Sequence, residues 1–175
     1  MANFKQALTL LYVNEGRYAN DPDDTGGETY MGVARNFWPK WEGWVIIDNY
    51  KKNALFPSIL DRDQPLQKMV ERFYRFNFWD KMVGDDIVNQ DVAFSIFDFG
   101  VNGGITTSII LAQRVIKVQD DGAMGPKSIQ SLNSFNPDLF FPFFKLEKVK
   151  YYIDCVKRKP TNEKFLFNWI SRTMK

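Results

Sequence analysis

Apolar residues recur at helical spacing along most of this chain, and strand-like alternation is nearly absent. Phe4, Ala7, Leu8, Leu11 and Tyr12 form the first stripe behind Asn3, a suitable N-cap, and predict a helix to about Glu15, where Gly16 ends it. Residues 16–33 break the pattern with turn signals at Asp21-Pro22, Gly26-Gly27 and Gly32, leaving room for short extended pieces around Glu28–Val33. From Asn36 to Leu60 the chain reads as irregular, with Trp38, Trp41 and Trp44 set among Pro39 and Gly43. Asp63 then caps a helix beginning near Pro65, with Leu66, Met69, Val70, Phe73, Tyr74 and Phe76 as its stripe. After Gly84-Asp85-Asp86 comes a helix at about 89–101 that is apolar on most sides and should be buried. Asn102-Gly103-Gly104 separates it from a helix at about 105–117. Asp120-Asp121-Gly122 is a turn, Pro126 starts a short helix, Asn136-Pro137 opens a long segment through Lys159, and a last helix runs from about Asn162 to Thr173. The predicted architecture is mainly α, with a seam at Val118–Asp121 that divides residues 1–117 from a small helical subdomain at 118–175.

Composition narrows the chemistry. The 175 residues are 45% hydrophobic and include 16 Phe and 5 Trp, so the chain can bury a core. A net charge of +2 gives no general case for nucleic acid. Residues 145–175, however, hold nine Lys/Arg against three Asp/Glu, which suits either a solvated helix face or an anionic polymer. With no His, a zinc centre and a Ser-His-Asp triad are excluded, and the single Cys155 precludes an intramolecular disulfide. Catalysis must rest on carboxylates, hydroxyls, Lys or Tyr. No metal and no cofactor is expected. The N-terminal residues lack the pattern of a signal peptide, and Leu139–Phe144 is far too short to span a bilayer, so the expectation is a soluble chain made in the cytoplasm.

Glu15 sits one turn beyond Leu11 and Tyr12 on the same stripe, so it points toward the core side. Desolvation there raises a carboxyl pKa, as a general acid requires, whereas an exposed Glu at a helix C-terminus would oppose the helix dipole. Glycosidic hydrolysis needs such a proton donor and a second carboxylate that stabilises an oxocarbenium ion or activates water. Asp24, in a polar Gly-rich loop, suits that second role, and Thr29 can position a water beside it. The alternative treats Asp21, Asp23 and Asp24 as turn-building residues and Glu28 as a solvated charge. Calcium is disfavoured, because the Gly and terminal Glu of an EF-hand loop do not fall at the required offsets. Asp98 and Asn102, one turn apart on the most apolar helix, are either plain core hydrogen-bonders or line a cleft opposite Glu15. The three Trp residues at 38, 41 and 44 are either core filler or a sugar-stacking wall.

Glu15-Gly16-Arg17-Tyr18, Asn20-Asp21-Pro22, Asp24, Gly26-Gly27, Thr29 and Gly32 together resemble the signature that opens glycoside hydrolase family 108. These are N-acetylmuramidases of lysozyme-like fold found in phage endolysins and secretion-activator proteins. The likeness continues in Phe78-Trp79-Asp80, Gly84-Asp85-Asp86, Phe97-Asp98 and Val101-Asn102-Gly104. The run Asp121–Pro126, with Phe165, Trp169 and Arg172, is similar to the family's peptidoglycan-binding-like C-terminal domain. The resemblance implies a lysozyme-like fold and hydrolysis of the β-1,4 bond between N-acetylmuramic acid and N-acetylglucosamine. It makes Glu15 the catalytic acid, with Asp24 and Thr29 near the places of the second acid and its threonine partner in phage-type lysozymes. Tyr18, Asn20, Asp98 and Asn102 are the substrate-binding candidates. Arg17 stands where the family usually carries a second glycine, close enough in sequence to lower the Glu15 pKa or to contact substrate. The stretch 37–50 has no clear counterpart in the family pattern.

The implied partner is the glycan strand of peptidoglycan, with a holin, a dedicated secretion route or lysis giving access to the cell wall and periplasm. Two rivals remain at this level. One is a wall-binding or secretion-associated protein that has lost activity, for which Arg17 is the main support. The other is a membrane-active helical protein using Leu139–Phe144, which Pro142 interrupts.

Overall fold

A computed structural model describes residues 1–12, 17–21 and 26–174. Among the described residues the architecture is mainly α, with eight α-helices and three two-residue strands. Contacts divide the chain into two compact units, Phe4–Asn77 and a second made of Met1–Asn3 with Phe78–Lys175.

In the first unit, α1 (Phe4–Tyr12) buries Phe4, Ala7, Leu8 and Leu11 of the predicted stripe and leaves Tyr12 half-buried. Strands β1 (Tyr18–Ala19), β2 (Thr29–Tyr30) and β3 (Val33–Ala34) form an antiparallel sheet in that order. A helix, α2 (Gly43–Tyr50), occupies part of the stretch expected to be irregular. Its start carries no capping side chain, since Glu42 makes no cap hydrogen bond, and its buried face is only Gly43, Trp44 and Ile47. Pro39 and Gly43 therefore outweighed a stripe too short to read. The next helix, α3 (Gln64–Tyr74), begins as predicted, with the Asp63 carboxylate accepting from the Leu66 backbone N–H at 2.8 Å. Leu66, Val70, Phe73 and Tyr74 are buried, whereas Phe76 is exposed, contrary to the predicted stripe. The cause is a π-helical turn at Arg75–Trp79. One extra residue per turn shifts the register and turns Phe76 out. The buried residues that follow, Phe78 and Trp79, belong to the second unit, where both meet Phe97 edge-to-face.

In the second unit, α4 (Gln90–Gly103) starts at Asn89, whose side chain accepts from the Asp91 and Val92 N–H groups. It buries Val92, Ala93, Ile96, Phe97, Phe99 and Gly100, as expected of the central helix. The following α5 (Ile105–Val115) lies against it, and the buried Ser108 hydroxyl donates to the Ile96 carbonyl at 2.6 Å. Gln113 is fully buried, yet its amide is satisfied. It donates to Asp121 Oδ1 and the Ala123 carbonyl and accepts from the Gly122 N–H, each at 2.9 Å, pinning the predicted turn to α5. Short α6 (Pro126–Ser134) precedes α7 (Pro137–Arg158), capped by Asn136. The helix continues through Pro142, which the sequence reading took as an interruption. Phe140 and Phe144 on α7 are buried and stacked at 5.1 Å, so these aromatics are core. The terminal α8 (Glu163–Met174) joins α7 through Trp169, stacked on Tyr152 at 5.0 Å. No helix among the described residues is long and apolar enough to cross a membrane.

Lys148 of α7 is buried in this second core, its ammonium 4.7 Å from the Phe144 ring centroid and 5.5 Å from that of Phe99. Burial pulls its pKa down to about 8, and the Asp98 charge only partly offsets that, against Lys145 and Arg172. Because the folded value lies below the ordinary lysine value of 10.5, the unfolded chain binds the proton more tightly between those limits. Stability attributable to this residue therefore rises with pH from about 8 to about 10.5. Relative to Lys148→Met, the wild-type unfolding free energy should improve over that window in urea titrations; a pH-independent difference would refute the assignment.

Candidate active site

Thr29 and Tyr18 lie on neighbouring strands of the small sheet, one register position apart and so on opposite faces. Ala19 pairs with Thr29 and Tyr18 with Tyr30, while Thr29 and Tyr30 pair on the other edge with Ala34 and Val33. The β2–β3 connection is the two-residue turn Met31-Gly32, with φ of 45° and 78°. Positive φ at both central positions matches the twist of a tight hairpin, and Gly32 meets that demand without a Cβ clash. Met31 is held in the less favourable conformation from both sides: its N–H donates to the Arg17 carbonyl at 2.6 Å, and its carbonyl accepts from the Tyr74 hydroxyl at 2.7 Å. The Thr29 hydroxyl donates to the Gly27 carbonyl at 3.1 Å, which leaves its lone pairs as acceptors. Tyr30 is fully buried, donating to the Leu60 carbonyl and accepting from Gln67 Nε2, and burial pushes its hydroxyl up to about 12.

Beside this sheet lies a charge cluster that the sequence did not announce. The Glu28 side chain is 8% exposed and accepts from the Tyr18 hydroxyl at 3.0 Å. Lys51 Nζ sits 3.0 and 3.1 Å from its two oxygens. Arg35 Nε lies 2.8 Å from Oε2, an ion contact in which the Nε–H itself makes no aligned hydrogen bond. The rest of that guanidinium forks onto Asp48 at 3.0 and 2.7 Å and lies over the Trp44 ring at 4.4 Å. Lys51 also reaches Asp48 at 2.8 Å, so two carboxylates face two cations. Hydrogen bonds from Arg35 and then Lys51 lower the Asp48 carboxyl to about 2, while burial and the bond to Glu28 raise the Tyr18 hydroxyl above its ordinary value. Glu28 is thus no solvated charge. The signal was present in the strand alternation, because Glu28 shares a face with Tyr30, but its partners Arg35, Tyr18 and Lys51 stand 7, 10 and 23 residues away and no local pattern names them.

The remaining candidates separate. Glu15 and Asp24 lie outside the described residues. Asn20 is exposed just after β1. Arg17 is ion-paired with Asp61, so its charge is engaged. In the second unit, the Asp98 carboxylate accepts from Arg172 at 3.3 Å, and the Asn102 amide donates to the Asp98 carbonyl at 2.7 Å. The two tryptophan readings divide by residue. Trp44 is core, at 3% exposure, with Nε1 donating to the Trp38 carbonyl, while Trp38 and Trp41 line an open groove. Among the described residues, no cluster of three or more Asp, Glu, His or Cys side chains is placed to hold a metal ion.

Comparison with known proteins decides the lineage. The family model described as glycosyl hydrolase 108 matches residues 8–104. The chain belongs to this family. Residues 107–174 of this family 108 glycoside hydrolase match a second model, described as a predicted peptidoglycan domain. The fold is similar to that of a solved structure, SagA of Brucella abortus, with a TM-score of 0.68 at 23% identity, covering 98% of this chain and 89% of that one. A comparison with curated proteins gives no match. The lysozyme-like, mainly α expectation and the assignment as a glycoside hydrolase acting on peptidoglycan therefore stand. In this family member the sheet that carries Tyr18 and Thr29 is braced by the Glu28 cluster.

Removing Glu28 leaves Arg35 and Lys51 facing each other with only Asp48 between them. Loss of one member of a fully buried pair costs about 3–5 kcal/mol, and partial exposure of both cations reduces the expected cost of Glu28→Ala to about 2–3 kcal/mol. Urea unfolding should show that loss; a change under about 0.5 kcal/mol would mean the cluster is ornamental.

Proposed function

We propose that the protein is a muramidase that hydrolyses the β-1,4 bond between N-acetylmuramic acid and N-acetylglucosamine. The observation that carries the reading is the pairing on one chain of a family 108 hydrolase match over 8–104 with a peptidoglycan-domain match over 107–174. Glu15 donates its proton to the glycosidic oxygen as the bond to the muramyl C1 breaks. Asp24 stabilises the resulting cation or orients the water whose hydroxyl bonds to C1, Thr29 holds that water, and the proton the water loses passes to a carboxylate of the Glu15–Asp24 pair. Support comes from the Thr29 hydroxyl, whose donor is spent on the Gly27 carbonyl, leaving its lone pairs as acceptors for a water's hydrogen. The Arg17–Asp61 ion pair further supports an active enzyme over an impaired wall-binding protein, because the cation nearest Glu15 in sequence already has a carboxylate. Tyr18, Asn20, Asp98 and Asn102 complete the proposal as substrate contacts. A holin, a secretion route or lysis would bring the enzyme to the wall.

Mass spectrometry of the products tests the bond directly: reducing-end N-acetylmuramic acid supports the proposal, and reducing-end N-acetylglucosamine overturns it. Glu15→Gln should slow clearing of a peptidoglycan suspension by about 10²–10⁴-fold. Equal clearing by variant and parent would remove Glu15 from the mechanism. Asp24→Asn is expected to cost more than about tenfold, and a smaller loss would strip Asp24 of its role.

A further inference from the structure

Within the first unit, the segment after β3 and one face of α3 enclose an open groove of about 610 Å³, a size at which proteins bind small ligands. Its walls are aromatic and unusually exposed: Phe37 at 67%, Phe76 at 64% and Trp38 at 37%. Isolated exposed aromatics need no explanation, but a contiguous patch of them marks a binding surface. The wall is also rigid. The Trp38 N–H donates to the Ala34 carbonyl at 2.9 Å, its carbonyl accepts from Trp44, and its ring meets Phe73 edge-to-face at 4.9 Å. The Trp41 ring stands perpendicular to Trp44 at 5.1 Å and rests on Gly43, where a Cβ would come within 2.3 Å of it. A surface fixed in this way loses little conformational freedom when a ligand arrives.

Charge then selects the ligand. Lys40 and Arg72 both line the groove, and no carboxylate pairs with either among the described residues. Glu42 is the one lining carboxylate and leaves the rim net positive. An Arg fork matches a carboxylate, and a flat aromatic wall matches the C–H face of a sugar or an acetyl methyl. Position agrees as well, because Ala34, which anchors Trp38, is the register partner of Thr29. The hairpin that presents Thr29 therefore leads straight into the groove.

We propose that this groove is a subsite for an anionic, N-acetylated saccharide of the peptidoglycan strand. Sugar rings or acetyl groups lie on Trp38, Phe37 and Phe76, and a lactyl or stem-peptide carboxylate sits between Lys40 and Arg72. The inference rests on the peptidoglycan reading above but not on which bond is cut.

The test is calorimetric titration of the full chain, as parent and in a Glu15→Gln background, with a peptide-bearing muropeptide tetrasaccharide and with uncharged chitotetraose. All three substituted side chains are exposed, and unchanged circular dichroism confirms folding. The double variant Lys40→Glu/Arg72→Glu should weaken muropeptide binding at least tenfold and leave chitotetraose unaffected. Phe37→Ala should weaken both. Muropeptide affinity unchanged in every variant would overturn the subsite, and loss in Phe37→Ala alone would overturn its anionic specificity. Product analysis of the parent separates the two proposals. Cleavage at the muramyl bond with unaltered binding by the variants sinks only the groove, whereas impaired binding without cleavage sinks only the muramidase reading.

Discussion

A carboxylate can be buried only where cations and donors meet it, and Glu28 imposes that condition on the first unit. Three separate parts of the chain answer it: Tyr18 from β1, Arg35 from the end of β3, and Lys51 from the end of α2. Because β2 is flanked by strands only two residues long, ladder hydrogen bonds alone give it little strength. The ion cluster supplies what the ladder lacks and sets where Tyr18 and Thr29 stand. Arg35 carries the same constraint outward, since its guanidinium binds Asp48 on α2 and covers Trp44, whose indole N–H in turn holds Trp38. One buried charge thereby ties the sheet with the candidate catalytic threonine to the wall of the aromatic groove.

The second unit solves a similar problem with rings. Phe99 meets Phe144 and Tyr152 edge-to-face, and Lys148 lies over Phe99 and Phe144. A lone ammonium in such a place has its charge attracted by ring faces and by Asp98, which explains why burial lowers its pKa without forbidding it. Asp98 meanwhile is bound by Arg172 of α8. A residue that sequence spacing marked as either core or cleft is thus seen holding the last helix to α4, so any contact with substrate would have to share it with Arg172.

Helices were legible where a cap and a stripe coincided. Asp63 and Asn136 accept backbone N–H groups at the starts expected for α3 and α7, and Asn89, which the sequence reading did not name as a cap, does the same for α4. Where one signal was missing, the reading failed for an identifiable reason. Uncapped α2 has only a two-turn stripe, and the π-helical turn shifts the register by one residue, which no period of 3.6 anticipates. The candidate site was legible in its residue types and in its hairpin turn at Gly32. Its bracing was not, because a buried ion cluster is assembled from residues distant in sequence and each looks like an ordinary surface charge until folded. Glu15 and Asp24 themselves fall outside the described residues, so their assignment still rests on sequence resemblance and helix placement.

The basic C-terminal segment bears on how the enzyme meets its polymer. Its excess charge is not all available: Lys148 is buried, Arg172 is held by Asp98, and Lys150 and Lys157 face Glu147 and Asp154 one turn earlier. Exposed i,i+3 pairs are weak and cost little to open, so those two lysines still contribute to the field at long range. Arg158 and Lys159 at the end of α7 add to it without an ion pair among the described residues. A wall rich in carboxylates would therefore be attracted loosely, in a manner that salt weakens, by the domain that matches a peptidoglycan module. Loose electrostatic attraction brings the polymer near but cannot fix a sugar ring in place. Registering one bond for hydrolysis requires rigid, shaped contacts, and among the described residues the braced hairpin and the aromatic wall it supports have that character.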